Sequence, residues 1–399
     1  MRKLFSATAC AALIAFLSLN IEAGGTGNGS AFDNRSLGGL DLSAVQVQAP
    51  AAPAEAPADL PAWLASGNDL KHAPTPEQAR ESALRNAALR RSSKSSDEDA
   101  RLKYRPYADF EETGYLLMNA GFNFNSLQAK REMAKALPAD ATLVLFWGDM
   151  TPAEKKKLLS QYDGVISRDR IKVIALPKGE RGFWARDGLP VPMIDKDNKL
   201  TLIDAQYYHG FEADKEVSKI FHAGYAKHEY GFEGGNFQAN TRGDCVIVNN
   251  DRHDKIPAGI FSGYYGCKQL IRLPFIDGIG HVDERVRFIN DTTLVTDTPG
   301  YKDTLEGKGF TVHLLPRPAK PLETYVNSLI MNGQVVVPVF KQPTDAQALA
   351  VYESLGLKAA GGDSIALSND GMGSVHCITM TYPKVPMADL LKSLGAKEI

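Results

Sequence analysis

The sequence lacks an excess of charge of either sign. Its 45 Lys and Arg residues are balanced by 47 Asp and Glu residues, giving a formal net charge of -2. A nucleic-acid-binding protein needs a clear basic excess, so we expect no nucleic-acid partner. The chain also lacks the spacing of a zinc site, because His253 and Asp251 form no recognised pattern with other ligand-type residues. We therefore expect no metal.

Long hydrophobic runs are scarce, and the clearest one lies at the N-terminus. Arg2 and Lys3 precede an apolar run over residues 4–19, and Ala23 offers a small residue for cleavage. This order is typical of a secretory signal peptide, predicted over residues 1–23. A buried helix or a membrane anchor is the alternative, but the run is short for a membrane span. We expect export to the periplasm or beyond, with no membrane insertion apart from the signal peptide.

Residues 24–103 have the composition of a tether. They include GGTGNGS at 24–30 and QAPAAPAEAP at 48–57. Gly, Ala, Pro and Ser bury too little apolar surface to offset the entropy of ordering, so we expect disorder here. One short helix is expected over residues 76–91, and its four arginines suggest that it is solvated.

Residues 104–399 have the pattern of a folded catalytic domain. Short strand-like runs recur, among them ATLVLFW at 141–147 and CVIV at 245–248. Thr151 and Pro152 open an amphipathic helix, and Asn332-Gly333 is a hairpin signal. Strand pairs alternate with helices, which predicts a mixed α/β domain of several small units rather than one parallel sheet.

Four short segments contain residue types that suit catalysis. In FWARDGLP at 183–190, Asp187 lies beside Trp184 and is suited to bind a cation, although an Asp in such a loop more often caps a turn. In FEGGNF at 232–237, two glycines permit close backbone approach and leave Glu233 free to enter a pocket. Taken alone, this second segment is more typical of a solvated turn.

The other two segments bring histidine, aspartate and cysteine. If GHVD at 280–283 opens a strand, His281 and Asp283 share one face, and Arg285 and Arg287 follow on it. Such a pair is suited to acid/base catalysis, but His-x-Asp also arises often by chance. In GMGSVHCIT at 371–379, a Gly-rich turn presents Cys377 before a strand. A buried structural cysteine is the alternative.

The four segments together resemble one family. Trp-x-Arg-Asp, Glu-Gly-Gly, Gly-His-x-Asp and Gly-x-Gly-x-x-His-Cys-x-Thr occur in this order in agmatine deiminases and bacterial peptidyl-arginine deiminases of the guanidino-group-modifying (pentein) superfamily. Residues 107–111, 202–208 and 325–338 are also similar to that family, so the resemblance runs from about Tyr104 to Pro383. It implies a five-bladed, pseudo-symmetric α/β propeller of ββαβ-type units with the active site at its axis.

The resemblance also implies roles for particular residues. The nucleophile is Cys377, which forms a covalent thiouronium intermediate, and His281 is the acid/base. Glu233 orients this histidine, while Asp187 and Asp283 hold the two edges of a guanidinium. No cofactor is required. The residues implied in substrate binding are Trp184, Asp187, Asp283, Tyr207 and Asn327.

The export signal bears on the choice of substrate. Agmatine is a metabolite of the cell interior, and residues 204–214 contain no arginine to bind a free α-carboxylate. We therefore expect arginine within peptides or proteins to be the substrate, with citrulline and ammonia as products. An exported agmatine or free-arginine deiminase is one alternative. A non-catalytic pentein that binds basic peptides is another.

Three cysteines remain after removal of the signal peptide, which contains Cys10. With Cys377 assigned to chemistry, we predict a disulfide between Cys245 and Cys267 in the exported protein. Two unpaired buried thiols are the alternative.

Overall fold

The chain is described here by a computed structural model that covers residues 71–92 and 102–385, and its strands form five separate sheets. The predicted signal peptide and most of the predicted tether, residues 24–70 and 93–101, lie outside the described residues. Within the described ranges, no helix is both long and apolar enough to cross a membrane.

The described residues contain nine helices and seventeen strands. The helices are α1 Pro76–Ser92, α2 Leu127–Ala136, α3 Pro152–Ser160, α4 Ala185–Gly188, α5 Asp214–Ile220, α6 Ala258–Tyr265, α7 Pro299–Glu306, α8 Pro343–Ser354 and α9 Ile365–Asn369. The strands are β1 Tyr104–Pro106, β2 Thr113–Asn119, β3 Thr142–Trp147, β4 Ile171–Ala175, β5 Val191–Asp195, β6 Leu200–Gln206, β7 Gly224–Gly231, β8 Gln238–Ala239, β9 Asp244–Asn249, β10 Gln269–Pro274, β11 Val286–Phe288, β12 Thr293–Thr296, β13 Thr311–Leu314, β14 Leu329–Met331, β15 Gln334–Val339, β16 Lys358–Asp363 and β17 Thr379–Pro383.

One unit recurs along the chain. In the sheet β8–β9–β10, the first two strands are antiparallel, and α6 then connects β9 to the parallel strand β10. The sheets of β11–β13 and β14–β16 repeat this order with α7 and α8, and β5–β7 repeats it with α5. The prediction of several ββαβ units is therefore confirmed at the level of strand pairing.

The fifth sheet joins the two ends of the domain. The last strand, β17, is antiparallel to β2, with Thr379 opposite Met118, and β2 and β3 continue through parallel pairs to β4. This pairing fixes the turn that precedes β17, which contains Cys377.

The buried strand β2 shows how the sequence builds the core. All seven of its residues are buried. Leu116 and Met118 face one apolar cluster, whereas Tyr115 and Leu117 face another. Side chains alternate between the faces of a strand, so a continuous apolar run suits a sheet that is covered on both sides.

The helix predicted over residues 76–91 forms as α1, but it does not belong to a detached tether. Asn86 is fully buried, and its amide donates to the carbonyls of Gly231 and Arg252 at 2.9 and 2.7 Å. The side-chain oxygen of Asn86 in turn accepts the N–H of Gly231 at 2.8 Å. A buried asparagine that pairs with main-chain groups ties this helix to the domain, which its polar composition did not predict.

Candidate active site

Apart from Tyr207, which follows β6 within one sheet, the candidate site residues lie in connections between consecutive sheets. The connections are β4–β5, β7–β8, β10–β11, β13–β14 and β16–β17. They contain, in that order, Asp187, Glu233, His281 with Asp283, Asn327 and Cys377. Connections are where irregular backbone positions side chains for function, and here each of the five sheets contributes to one cluster.

Cys377 is a free, fully buried thiol in the turn before β17. The amide nitrogen of Asn327 donates to its sulfur at 3.1 Å, and Oδ2 of Asp283 lies 3.7 Å from the same sulfur. Burial raises the pKa of Cys377 well above its ordinary value, and the charges of Asp283, Glu284 and Asp187 raise it further. The thiol is therefore protonated until a positive charge arrives beside it.

One carboxylate oxygen of Asp283 is hydrogen-bonded, whereas the other has no partner among the described residues. Its Oδ2 contacts Nδ1 of His376 at 2.6 Å, and Nε2 of His376 contacts Asp109 at 2.9 Å. Burial raises the pKa of Asp283, but His376 and His281 outweigh burial and bring it down to about 2. Oδ1 of Asp283 is a buried acceptor without a hydrogen-bond partner among the described residues. The site thus keeps one carboxylate oxygen available for a donor.

The segment that contains His281 and Asp283 is not a strand. Residues Val282–Glu284 form a 3₁₀ turn, and β11 begins only at Val286, so the expectation of one shared strand face with Arg285 and Arg287 is wrong. Gly280 precedes the turn with a φ of 78°, and the amide N–H of Val282 donates to the side chain of Asn236. The left-handed conformation of Gly280 and the contact with distant Asn236 override the alternating pattern.

Glu233 holds His281 from its Nε2 side. Its Oε2 lies 3.1 Å from that nitrogen and 2.9 Å from Nη2 of Arg252, and His253 contacts it at 2.9 Å. Burial lowers the pKa of His281, but Asp187, Glu233 and Asp283 outweigh burial and raise it to about 9. His281 is therefore an imidazolium at neutral pH, and its Nδ1 has no hydrogen-bond partner in the described part of the chain.

Asp187 lies on the short helix α4, opposite the Glu-Gly-Gly segment. Its Oδ1 accepts the N–H of Gly235 at 2.8 Å and lies 3.7 Å from Nδ1 of His281. A Cβ on Gly235 would lie 2.7 Å from Nδ1 of His281 and 2.8 Å from Oδ1 of Asp187. Only glycine lets the backbone reach this carboxylate, as the sequence suggested.

Trp184 and Tyr207 line the same space. Trp184 is buried one turn before Asp187. Tyr207 is also buried, its hydroxyl has no partner among the described residues, and its ring centroid lies 4.8 Å from that of Tyr208. Burial raises the pKa of Tyr207 well above its ordinary value, and the nearby Tyr208, Asp187 and Glu233 raise it further. Both aromatic residues therefore belong to the cluster.

The cluster also contains a residue that the sequence did not indicate, His72. Its imidazole is fully buried, bonds to Oδ2 of Asp187 and stacks on Trp184 at 4.3 Å between ring centroids. The His281 ring meets it edge-on at 5.2 Å. His72 belongs to the region predicted as a disordered tether, so the expected disorder is wrong for residues 71–75, whereas the helix predicted after them forms.

A family model described as Porphyromonas-type peptidyl-arginine deiminase matches residues 125–383, which is most of the chain. The chain belongs to this family. Membership identifies it as a hydrolase that acts on C–N bonds of linear amidines, in agreement with the resemblance seen in the sequence.

Individual relatives are more distant. The agmatine deiminases of Pseudomonas syringae pv. tomato and Pseudomonas aeruginosa LESB58 are each 23% identical over 303 residues, covering 56% of this chain and 81% and 80% of theirs. The solved agmatine deiminase of C. jejuni matches with a TM-score of 0.59 and 19% identity over 71% of this chain and 97% of its own. The solved agmatine deiminase of Enterococcus faecalis matches with a TM-score of 0.59 and 16% identity over 73% of this chain and 100% of its own. These structures establish a common α/β fold.

Several supporting residues of this family member were not singled out from the sequence. Asp109 contacts His376, Arg186 and Arg287. Through His376, it helps to hold Asp283 in place. Arg252 donates to Glu233. Asp109 lies in residues 107–111, where a resemblance was noted but no role was derived. Arg252 lies in a turn, and no short-range pattern marks its contact.

The predicted disulfide between Cys245 and Cys267 is confirmed. The two Cα atoms lie 5.6 Å apart, and the bond connects β9 to the chain just before β10. Because β9 and β10 are parallel neighbours, with Cys245 opposite Leu270, the bridge stays within one unit and away from Cys377. Cys377 is the free cysteine of the described residues.

Proposed function

We propose that the protein is an exported peptidyl-arginine deiminase, which converts the guanidinium of arginine residues to the ureido group of citrulline and releases ammonia. We further propose that its five sheets are blades of a closed pseudo-symmetric propeller. The contribution of every connection between sheets to one cluster supports that arrangement.

The substrate guanidinium binds between two carboxylates. A guanidinium is planar and offers N–H donors on each edge, and paired contacts with carboxylates orient it. Oδ1 of Asp283 is the open acceptor on one edge, and Asp187 takes the other edge while Trp184 packs on the flat face. Asn327 holds the Cys377 sulfur beside the bound group.

The chemistry begins when the bound cation offsets the carboxylates that keep the Cys377 thiol protonated. The thiol then releases its proton to solvent, from which the departing ammonia later takes up a proton to become ammonium. The thiolate attacks the guanidinium carbon and forms a C–S bond, giving a tetrahedral adduct. The C–N bond then breaks, and His281 as an imidazolium supplies the proton with which ammonia leaves. A thiouronium remains on Cys377.

In the second half of the reaction, His281 acts as a base instead of an acid. Neutral His281, oriented by Glu233, takes a proton from water as the water oxygen attacks the thiouronium carbon. As the C–S bond breaks, the hydroxyl of this second adduct gives its proton to the departing thiolate, which regenerates the thiol and releases the ureido product. The overall balance is one water consumed and one ammonium released, and the chemistry requires no redox partner.

One observation carries the choice of a peptide substrate: the site already holds a side chain borne on a polypeptide. The main-chain N–H of His72 donates to the carbonyl of Gly371 at 2.8 Å, and the hydroxyl of Tyr208 donates to the carbonyl of His72 at 2.6 Å. A residue within a chain satisfies both contacts, whereas agmatine has neither a main-chain amide nor a carbonyl. The predicted signal peptide agrees with an extracellular or periplasmic substrate.

An agmatine deiminase is the second candidate, since agmatine deiminases are prominent among the curated relatives. A citrulline-type colour assay with agmatine, free arginine and an arginine peptide blocked at both ends separates the candidates. It is run on the wild type and on His72→Ala, which removes the side chain that lies in the site, with Cys377→Ala as the inactive control.

We expect the blocked peptide to give the highest kcat/KM, by about tenfold or more over agmatine, because two main-chain hydrogen bonds are worth roughly 1 kcal/mol each. Preference for agmatine would transfer the proposal to the second candidate. Binding of the peptide with no turnover of any guanidine would leave a non-catalytic binder.

A further inference from the structure

His72 occupies the place that the proposed function gives to a substrate guanidinium. Its ring bonds to Asp187 through Nε2, and its Nδ1 lies 3.2 Å from the carbonyl of Met372. One flat face packs on Trp184 with an angle of 18° between the ring planes. A planar nitrogen group that stacks on an aromatic ring and bonds to a carboxylate satisfies the same demands as a guanidinium.

The ring imitates the substrate only in part. Oδ1 of Asp283 and Nδ1 of His281 keep no partner in the described residues although His72 is in place. An imidazole also has no carbon bearing a releasable amine, so attack by Cys377 has no ammonia to expel. The site therefore holds a group that it binds but cannot convert.

The neighbouring chain is built to keep this group in position. Thr75 and Gln78 cap α1 reciprocally: the Thr75 N–H donates to Oε1 of Gln78, and the Gln78 N–H donates to Oγ1 of Thr75. Two turns on, Asn86 makes its three hydrogen bonds to the main chain of Gly231 and Arg252. The cap and the Asn86 contacts fix α1, and only the three residues 72–74 connect the fixed helix to the site.

The contact between α1 and the domain is close at one point and loose at another. A Cβ on Gly231 would lie 2.9 Å from Oγ of Ser82, so the helix packs tightly there. A cavity of about 360 Å³ nevertheless remains between α1 and the end of β6, lined by Gln78, Arg85, Gln206 and Tyr208 among others. Besides its polar contacts, α1 packs the half-buried side chain of Leu89 against a core cluster, and Asn86 is its buried residue. A helix held by so few buried groups suits a segment that leaves and returns.

We propose that residues 71–92 form a built-in pseudosubstrate, in which His72 blocks the active site until an arginine peptide displaces it from Asp187, Gly371 and Tyr208. This inference rests on the proposed function for the identity of the competing ligand. Because a blocked fraction lowers apparent affinity in proportion, a site that is closed for about 90 to 99% of the time loses roughly 10- to 100-fold in kcat/KM.

Two readouts on His72→Ala test the block. The first is kcat/KM for the blocked arginine peptide, which we expect to rise roughly 10- to 100-fold over the wild type. The second is the labelling rate of Cys377 by a neutral thiol reagent, followed by peptide mapping, and it should also rise at least about tenfold because the fully buried thiol becomes accessible. Lys71→Ala, which changes the exposed neighbour of His72, is the matched control and should leave both unchanged.

His72→Arg converts the block into a tethered substrate. If the segment lies in the catalytic register, the introduced arginine becomes citrulline during purification, and peptide mapping detects the exchange of an imino nitrogen for oxygen. The double variant His72→Arg, Cys377→Ala keeps its arginine and is the control.

The outcomes separate this inference from the proposed function. Faster Cys377 labelling in His72→Ala with no turnover of any guanidine would retain the block and contradict the proposed function. Turnover of the peptide by the wild type with no change in either readout for His72→Ala, and with no citrulline in His72→Arg, would overturn the block while the proposed function stands.

Discussion

Asp187 and Asp283 are the two carboxylates expected to hold a guanidinium, and they differ in what they contact. Asp187 uses both oxygens, one for the N–H of Gly235 and the other for His72. Asp283 pairs one oxygen with His376 and leaves the other without a partner among the described residues. The Asp187 side is therefore occupied by the chain itself, whereas the Asp283 side keeps an acceptor open.

A site of this kind is completed by its ligand. Buried acceptors without partners are costly, so a carboxylate oxygen left open is best explained by a donor that arrives with the substrate. On the Asp187 side the chain supplies a substitute for that donor.

The largest expected effect comes from removing the Cys377 thiol, on which the proposed reaction depends whichever of the two carboxylates is considered. Cys377→Ala should lower turnover of every guanidine by roughly 10⁴-fold or more, because covalent catalysis loses its nucleophile. Ammonia release measures this loss, and an unchanged thermal unfolding curve shows that the fold is intact. Turnover within a factor of ten of the wild type would exclude Cys377 as the nucleophile.

Exchanging each carboxylate for an amide should distinguish the two sides. Asp187→Asn and Asp283→Asn should each lower kcat/KM for the blocked peptide by about 100-fold or more, since a charge-assisted contact becomes a neutral one. Only Asp187→Asn should also release His72, and hydrogen–deuterium exchange of the peptide spanning residues 71–75 reports that release. Equal exchange in both variants would mean that Asp187 does not hold the segment.

The pH dependence tests the histidine that lies between the two carboxylates. Because the pKa of His281 is raised to about 9, the imidazolium that supplies the proton to ammonia persists at neutral pH and is lost as pH rises through 9. We expect kcat to fall on the alkaline side near that pH. In Glu233→Gln the fall should begin at lower pH, because one of the carboxylates that raise this pKa is gone. An unchanged alkaline limb would remove Glu233 from this role.

The smallest effect on the site should come from the disulfide, which lies in one unit away from both carboxylates. Replacing Cys245 and Cys267 by alanine should lower the free energy of unfolding by about 3 kcal/mol, as expected for a loop closed over 22 positions. Denaturant unfolding measures the change, while kcat for the blocked peptide should stay within a factor of two under conditions where both proteins are folded. A large loss of kcat would show that this unit is coupled to the site.

Local signals predicted much of the fold. The helix expected to open at Thr151 and Pro152 forms as α3, where Thr151 is the N-cap and shares a capping box with Glu154. The Asn332-Gly333 hairpin forms between β14 and β15 with both residues at positive φ. Each of these features depends on residues within a few positions of one another, so it can be predicted from the local sequence.

The site itself was predictable only through the resemblance. Asp187, Glu233, His281 and Cys377 are separated by tens of residues, and no periodicity links them. The strand expected at His281 fails because a 3₁₀ turn places this residue and Asp283 through contacts with distant Asn236. His72 was missed for the same reason, since a single histidine in a polar, alanine-rich segment gives no sign of a contact with Asp187, 115 positions away.

A crystal structure of Cys377→Ala with a blocked arginine peptide would show where the guanidinium binds and whether His72 leaves the site. We expect the arginine guanidinium to lie between Asp187 and Asp283, stacked on Trp184, with a donor on the open oxygen of Asp283 and with His72 displaced from the site. A peptide bound elsewhere, or a guanidinium that contacts neither carboxylate with His72 still on Asp187, would contradict this expectation.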